Sequence, residues 1–344
     1  MKQRNITLDL AKGFLIILVV LGHSIQYSFG SEWLTSTQFF DDITFKTIYS
    51  FHMPLFMLIS GFLFYNSNKK DFKTLIFSKL KVIGIPMLSF ILLCNSLYYL
   101  SMVIHGNILG IFTHYFKTIF FGGTMWFLLS LLLNMIVVAI LTRLFKKKSS
   151  LYLGIFFLFV ASLFIPDSFI LNVHKFMFPF FCIGYLLRQN EVSLYSFSPN
   201  KVVLGIFTIL SVLAILWFDK DTYIYTSGFC ILGDYTHQFL TDCKRMLIAL
   251  VVSYTYMQYV HLFARHRNIL VDKVSRIGQI SLFIYGMNMF FDIYYPMSLA
   301  VLSVNLDFNY WLPIVITAVF IPICSWLYKL LERIKFTRTA FLGK

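Results

Sequence analysis

The chain has 344 residues, 58% of them hydrophobic, 19% aromatic and only 13% charged, with a mean hydropathy of +0.76. That balance lies far from that of soluble globular domains and marks a polytopic integral membrane protein. A formal net charge of +14 would suit a nucleic-acid binder, but in so apolar a chain the placement of the charges decides, and topology accounts for it, so no nucleic acid is expected as a partner.

Ten apolar segments follow in chain order, 8–28, 46–65, 82–104, 123–142, 151–166, 174–187, 202–218, 246–264, 279–301 and 309–330. They predict an all-α transmembrane bundle of about ten spans. The first, LDLAKGFLIILVVLGHSIQYS, holds Asp9, Lys12 and His23 at membrane depth. Ionisable side chains persist there mainly where they face a polar cavity. Lys12 and His23 are three helical turns apart, about 16 Å on one face, and Asp9 falls on the same stripe as a counter-ion for Lys12. The alternative is a Lys12 that snorkels to the interface and a His23 that bonds to a neighbouring helix.

The second segment, FHMPLFMLISGFLF, brings His52 to a depth comparable with His23 on an antiparallel neighbour. Pro54 is expected to free a carbonyl in the preceding turn. Ser60 and Gly61 give room for a ligand or for close helix approach. Trp126, after Gly122, Gly123, Thr124 and Met125, stands at the mouth of the fourth segment as an interfacial anchor or a platform for stacking a sugar. The longest loop, 219–245, combines acids, aromatics and glycines and is expected to form an outer mouth for a hydrophilic substrate. Cys230 and Cys243 share it, which leaves a disulfide open if that side is oxidising. In the ninth segment, Ser281, Tyr285, Asn288 and Asp292 form one polar stripe, and a charged Asp292 there needs an interior partner.

With the N-terminus inside, 22 of the 29 basic residues fall on the cytoplasmic side, from Lys2 and Arg4 to Lys344. Glu32, Asp41, Asp42, Asp167, Asp219, Asp221, Asp234, Asp242 and Asp307 fall on the other. Both termini are therefore expected in the cytoplasm. The first segment is too long and too polar for a cleaved signal peptide and is expected to remain. No stretch is long enough for a separate soluble domain, so 1–344 reads as a single membrane domain. No Cys/His spacing suggests a metal and no glycine-rich loop suggests a nucleotide fold.

Together, Lys12 through His23, FHMPLFMLISGFLF at 51–64, WFLLSLLL at 126–133, FPFFCIGYLL at 178–187 and GQISLFIYGMN at 278–288 resemble the acyltransferase 3 family of membrane O-acyltransferases, most closely its fucose 4-O-acetylase-like branch. Two positions depart from the family pattern. Lys12 stands where much of the family has Arg, so a point charge replaces a bidentate fork. Asn288 stands where many members have His, so a proton-transfer role there is not carried over.

The resemblance implies transfer of an acetyl group from acetyl-CoA to a hydroxyl of a surface glycan or lipid-linked sugar, in the cytoplasmic membrane of a bacterium. His23 is then the expected base, with His52 orienting it or binding the acceptor. Lys12 would hold the donor, and Ser60 or Tyr285 would donate to the acyl oxygen. Trp126, Asn288 and Asp292 are expected to meet the acceptor. The rival expectation is a polysaccharide exporter or flippase of the same fold that carries out no acyl transfer.

Overall fold

A computed structural model of the chain describes residues 5–28, 38–121, 123–166, 168–195, 200–231, 235–301 and 309–344. Lys2, Arg4, Glu32, Gly122, Asp167, Asp234 and Asp307, used above, lie outside them. All regular structure among the described residues is helical: α1 Ile6–Tyr27, α2 Ile43–Tyr49, α3 His52–Ser67, α4 Phe72–Lys79, α5 Ile85–Cys94, α6 Ser96–Ile104, α7 Ile108–Phe121, α8 Trp126–Leu144, α9 Lys148–Leu163, α10 Phe169–Gln189, α11 Lys201–Trp217, α12 Ile224–Ser227, α13 Tyr235–Arg265, α14 Ile269–Gln279, α15 Ser281–Val301, α16 Trp311–Arg333 and α17 Lys335–Leu342.

Each of the ten apolar segments falls on helix, and seven helical stretches among the described residues are long and apolar enough to cross a bilayer. The protein is a multi-pass membrane protein. Its third segment is interrupted: the chain breaks at Asn95 between α5 and α6. The α7 helix, which follows, was not expected at all. The expected loop 219–245 is helical from Tyr235 onward, because α13 runs 31 residues.

Local chemistry starts the helices where they are needed. Asn5 caps α1 by accepting from the Leu8 N–H at 3.1 Å, which supplies a partner for one of the four orphan donors at the helix start. Pro54 lies in the first turn of α3, where its missing N–H breaks no helical bond. The expected carbonyl defect is therefore absent. A sharp junction at Phe51 (φ −146°, ψ −19°) redirects the chain between α2 and α3.

Reciprocal glycine pairs set the central packing. A Cβ on Gly61 of α3 would stand 2.0 Å from the Phe181 carbonyl oxygen of α10, and one on Gly184 of α10 only 1.9 Å from the Leu58 oxygen of α3. A second pair joins α1 to α14: a Cβ on Gly13 would stand 2.1 Å from the Val274 oxygen and one on Gly278 only 1.8 Å from the Asp9 oxygen. Small residues let helix backbones touch in this way, and in lipid such close contact is a main source of association. These contacts fix the faces of α1 and α3 that carry Lys12, His23, His52 and Ser60.

Residues 218–231 cover one end of the bundle. Buried Arg245 donates to the Gly228 oxygen (2.6 Å), the Asp221 oxygen (3.1 Å) and the Ser227 hydroxyl. Buried Lys175 donates to the Ile165 oxygen (2.5 Å) and the Phe229 oxygen (3.1 Å). Neither cation was singled out from sequence. No disulfide joins Cys230 and Cys243, the first buried and the second exposed.

The same cover is pinned by Asp219, which accepts from the Thr222 hydroxyl and N–H and from Lys244 Nζ at 2.5 Å. Partial burial works against the Asp219 charge, but the Lys244 ammonium and the Thr222 donors outweigh it and hold the carboxyl below the ordinary carboxylate range. A depressed pKa contributes stability above the unfolded value of about 3.9 and loses it as pH falls through the lower folded value. Asp219→Asn is thus expected to lower the thermal midpoint at pH 7. The gap to the parent should close only under acid conditions below that range, as a pH series of melting curves would show.

Candidate active site

The four helices α1, α3, α8 and α15 enclose a cavity of about 240 Å³. It follows α1 from Lys12 through Ile16 to Val19, one turn short of His23, and α3 from Ser67 through Ser60 to Met53, next to His52. On α15 it meets Ser281 and Tyr285, the first half of the polar stripe, and Lys79 of α4 joins Lys12 at the basic end. Of the expected site residues, Lys12, Ser60 and Tyr285 line this cavity directly.

Lys12 Nζ lies 2.8 Å from Asp9 Oδ1, the i,i+3 partner that the spacing predicts. In the sequence nothing separates Lys79 from Lys69, Lys70, Lys73 and Lys81, which the charge bias alone explains. It differs from them in position: its Nζ donates to Ser67 Oγ at 3.3 Å and lies 5.6 Å from the centre of the Phe64 ring. The Ser60 hydroxyl donates to the Phe56 carbonyl at 2.8 Å, so its proton is not spare for an acyl oxygen, although the residue lines the cavity.

Beyond the cavity's deep end the stripe continues into a polar cluster. His23 Nδ1 stands 3.3 Å from Asp292 Oδ2, within ion-pair reach but not aligned as a hydrogen bond. Asn288 Nδ2 donates to the same oxygen at 2.8 Å. Asp292, expected with Asn288 to meet the acceptor, thus lies beside His23, and Asn288 is hydrogen-bonded to Asp292. Four buried polar atoms without a well-formed hydrogen bond gather here: His23 Nδ1, Asp292 Oδ1, Asn288 Oδ1 and the Tyr285 hydroxyl. Each such atom costs about 1–3 kcal/mol, so a cluster of them is poor for stability and points to a function.

His52 is placed differently. Its Nδ1 lies 2.6 Å from the Ile48 carbonyl oxygen, which can only accept. The ring therefore carries its proton on Nδ1 and presents the Nε2 lone pair. The Tyr49 ring touches both imidazoles, with centroids 6.3 Å from His23 and 4.9 Å from His52. The sequence pointed to both histidines but not to the tyrosine that links them.

A second, much smaller cavity of about 30 Å³ lies on the far side of His52, beneath the 218–225 cover and Arg245. Met53 lines both cavities. Trp126 lines neither; its ring packs edge-on 6.3 Å from Tyr225 and 5.9 Å from Phe127. Among the described residues no three His, Cys, Asp or Glu side chains gather as metal ligands would.

The acyltransferase 3 family, described as an acyltransferase domain, matches residues 5–330. The chain belongs to this family. Two curated relatives are both nodulation protein NolL. The one from Mesorhizobium japonicum is 30% identical over 242 residues, 65% of this chain and 59% of the relative. The one from Sinorhizobium fredii is 30% identical over 229 residues, 65% of this chain and 60% of the relative. The chain thus spans about three fifths of the length of the curated relatives it matches. No solved structure matches.

Proposed function

We propose that this acyltransferase moves an acetyl group from acetyl-CoA to a hydroxyl of a surface glycan or lipid-linked sugar. It would work in a bacterial cytoplasmic membrane, as in the branch that resembles fucose 4-O-acetylases. The observation that carries the reading is the cavity that starts at Lys12 and Lys79 and ends beneath the cluster of His23, Asp292, Asn288 and Tyr285. A cationic mouth suits the phosphates of CoA. If the Lys-rich end faces the cytoplasm, as the charge bias predicts, the donor enters from the compartment that makes it.

In this reading His23 Nε2 takes the proton of the sugar hydroxyl as its oxygen attacks the thioester carbon. The C–O bond forms, the C–S bond breaks, and the proton passes to the departing thiolate. Asp292 beside Nδ1 stabilises the imidazolium that forms. His52 has only a neutral carbonyl at its Nδ1, so it is the weaker base and is assigned to orient the acceptor through Nε2. Tyr285, whose hydroxyl has no well-formed protein partner, donates to the developing oxyanion.

The test is free thiol release from acetyl-CoA by purified protein in nanodiscs with acceptor glycan, which an exporter would not give. Lys12→Ala is expected to raise the KM for acetyl-CoA about 10- to 150-fold with little change for the glycan, the range of one charge-assisted contact. Lys12→Arg should retain or improve donor binding. A fall in protein level with unchanged donor kinetics would make Lys12 a structural partner of Asp9.

A further inference from the structure

A separate cavity of about 320 Å³ opens on the opposite side of the α3 C-terminus, between α3, α8, α9 and α10. None of the groups assigned to catalysis lines it. Six cations do: Lys69, Lys70, Arg143, Lys146, Lys147 and Lys148, and no Asp or Glu. Among the described residues none of the six is ion-paired with a carboxylate, whereas Arg267 has Asp272 and Lys344 has Glu332. A topological bias accounts for how many lysines lie at this end of the bundle. It does not account for their convergence on one concavity, where like charges repel unless an anion sits among them.

The concavity is also braced. Arg143 donates to Asn68 Oδ1 (2.9 Å), the Ala139 oxygen (2.8 Å) and the Lys70 oxygen (2.9 Å), and its guanidinium lies 5.1 Å from the Phe72 ring centre. Asn68 in turn donates to Thr142 Oγ1 (2.9 Å) and the Tyr185 hydroxyl (3.0 Å). Arg143 is therefore spent on holding the 68–70 turn against α8, which makes it a positioning residue. Lys148 donates to Asn190 at 3.1 Å and Lys69 lies over the Tyr65 ring at 4.8 Å. Lys70, Lys146 and Lys147 remain exposed on the rim.

We propose that this cavity binds a phosphate-bearing anion, either an anionic lipid headgroup or a free phosphate, through Lys70, Lys146 and Lys147. A carboxylate satisfies one or two cations, whereas a phosphate offers three oxygens and more charge, which several ammonium groups from separate segments match.

Two measurements on the full chain test this. In wild-type protein, inorganic pyrophosphate or phosphatidylglycerol nanodiscs should protect Lys70, Lys146 and Lys147 from acetic anhydride several-fold while Lys329 and Lys335 stay reactive; uniform labelling under both conditions overturns the proposal. In native mass spectrometry, Lys70/Lys146/Lys147→Gln should retain phosphatidylglycerol on the order of 100-fold less well than wild type at low salt. The equally charged control Lys329/Lys335/Arg338→Gln should match wild type, and equal loss in both variants overturns the site. Protection of lipid-free protein by pyrophosphate identifies a free-phosphate site. Retention of the lipid without such protection in lipid-free protein, but with protection of the same lysines by phosphatidylglycerol nanodiscs, identifies a headgroup site.

Discussion

Alanine in place of His23 is expected to lower acyl transfer by 100- to 10,000-fold, the usual contribution of a general base, with membrane abundance near that of the parent. Asp292 makes the assignment sharper. Asp292→Asn keeps the size of the side chain and a hydrogen-bonding oxygen for Asn288, yet removes the ionisable carboxyl 3.3 Å from His23 Nδ1. If the carboxylate stabilises the imidazolium, kcat should fall by at least tenfold while KM for both substrates holds. If His23 merely packs against α15, both variants will turn over acetyl-CoA at close to the parent rate, and the base must be sought at His52.

A comparably large effect, on folding, is expected at Gly184. A Cβ there would stand 1.9 Å from the Leu58 carbonyl oxygen and 3.0 Å from the Phe62 nitrogen. Gly184→Ala sets a methyl against backbone that cannot rotate aside, so α3 and α10 must separate. Overpacking costs about 1–3 kcal/mol where side chains can adjust, and here the obstacle is a second helix. The thermal midpoint should drop by several degrees, and activity should fall because Ser60 and His52 move with α3. Gly205 in α11 is the control: nothing lies within 4 Å of its added Cβ. Gly205→Ala should be neutral or gain up to about 1 kcal/mol from helix propensity. Equal melting of the two variants would show that the close approach is not what holds the pair together.

Periodicity and composition reveal faces, and this chain shows how far that reaches. The three-turn interval from Lys12 to His23 and the stripe from Ser281 to Asp292 were both readable, because helical spacing alone determines which side chains share a side. What meets that side is decided by packing between helices distant in sequence. Nothing in the order of residues says that Asp292 pairs with His23 across helices, that Tyr49 touches both imidazoles, or that Lys79 alone of its cluster turns into the cavity. Ser60 and Gly61 illustrate the division: small size was evident, but only the fold separates a cavity wall from a backbone contact. The α7 helix and the break at Asn95 were missed because an apolar run does not record where a helix ends. Arg245 was missed because three of its partners, the Gly228 and Asp221 oxygens and the Ser227 hydroxyl, lie in a segment 17 to 24 residues away with no spacing signature, and only Asp242 sits at helical spacing.

Met53 has a bearing on how an activated ester survives beside water. Its unbranched thioether forms part of the wall of both cavities, and such a side chain changes rotamer at little cost. If the donor thioester lies near Tyr285, as proposed, the Met53 side chain between the two cavities would keep solvent beneath the 218–225 cover away from it and slow wasteful hydrolysis. A sugar acceptor that pressed the side chain aside would then replace water as the nucleophile within reach. A leak would follow from shortening it: Met53→Ala should release thiol from acetyl-CoA even without a glycan.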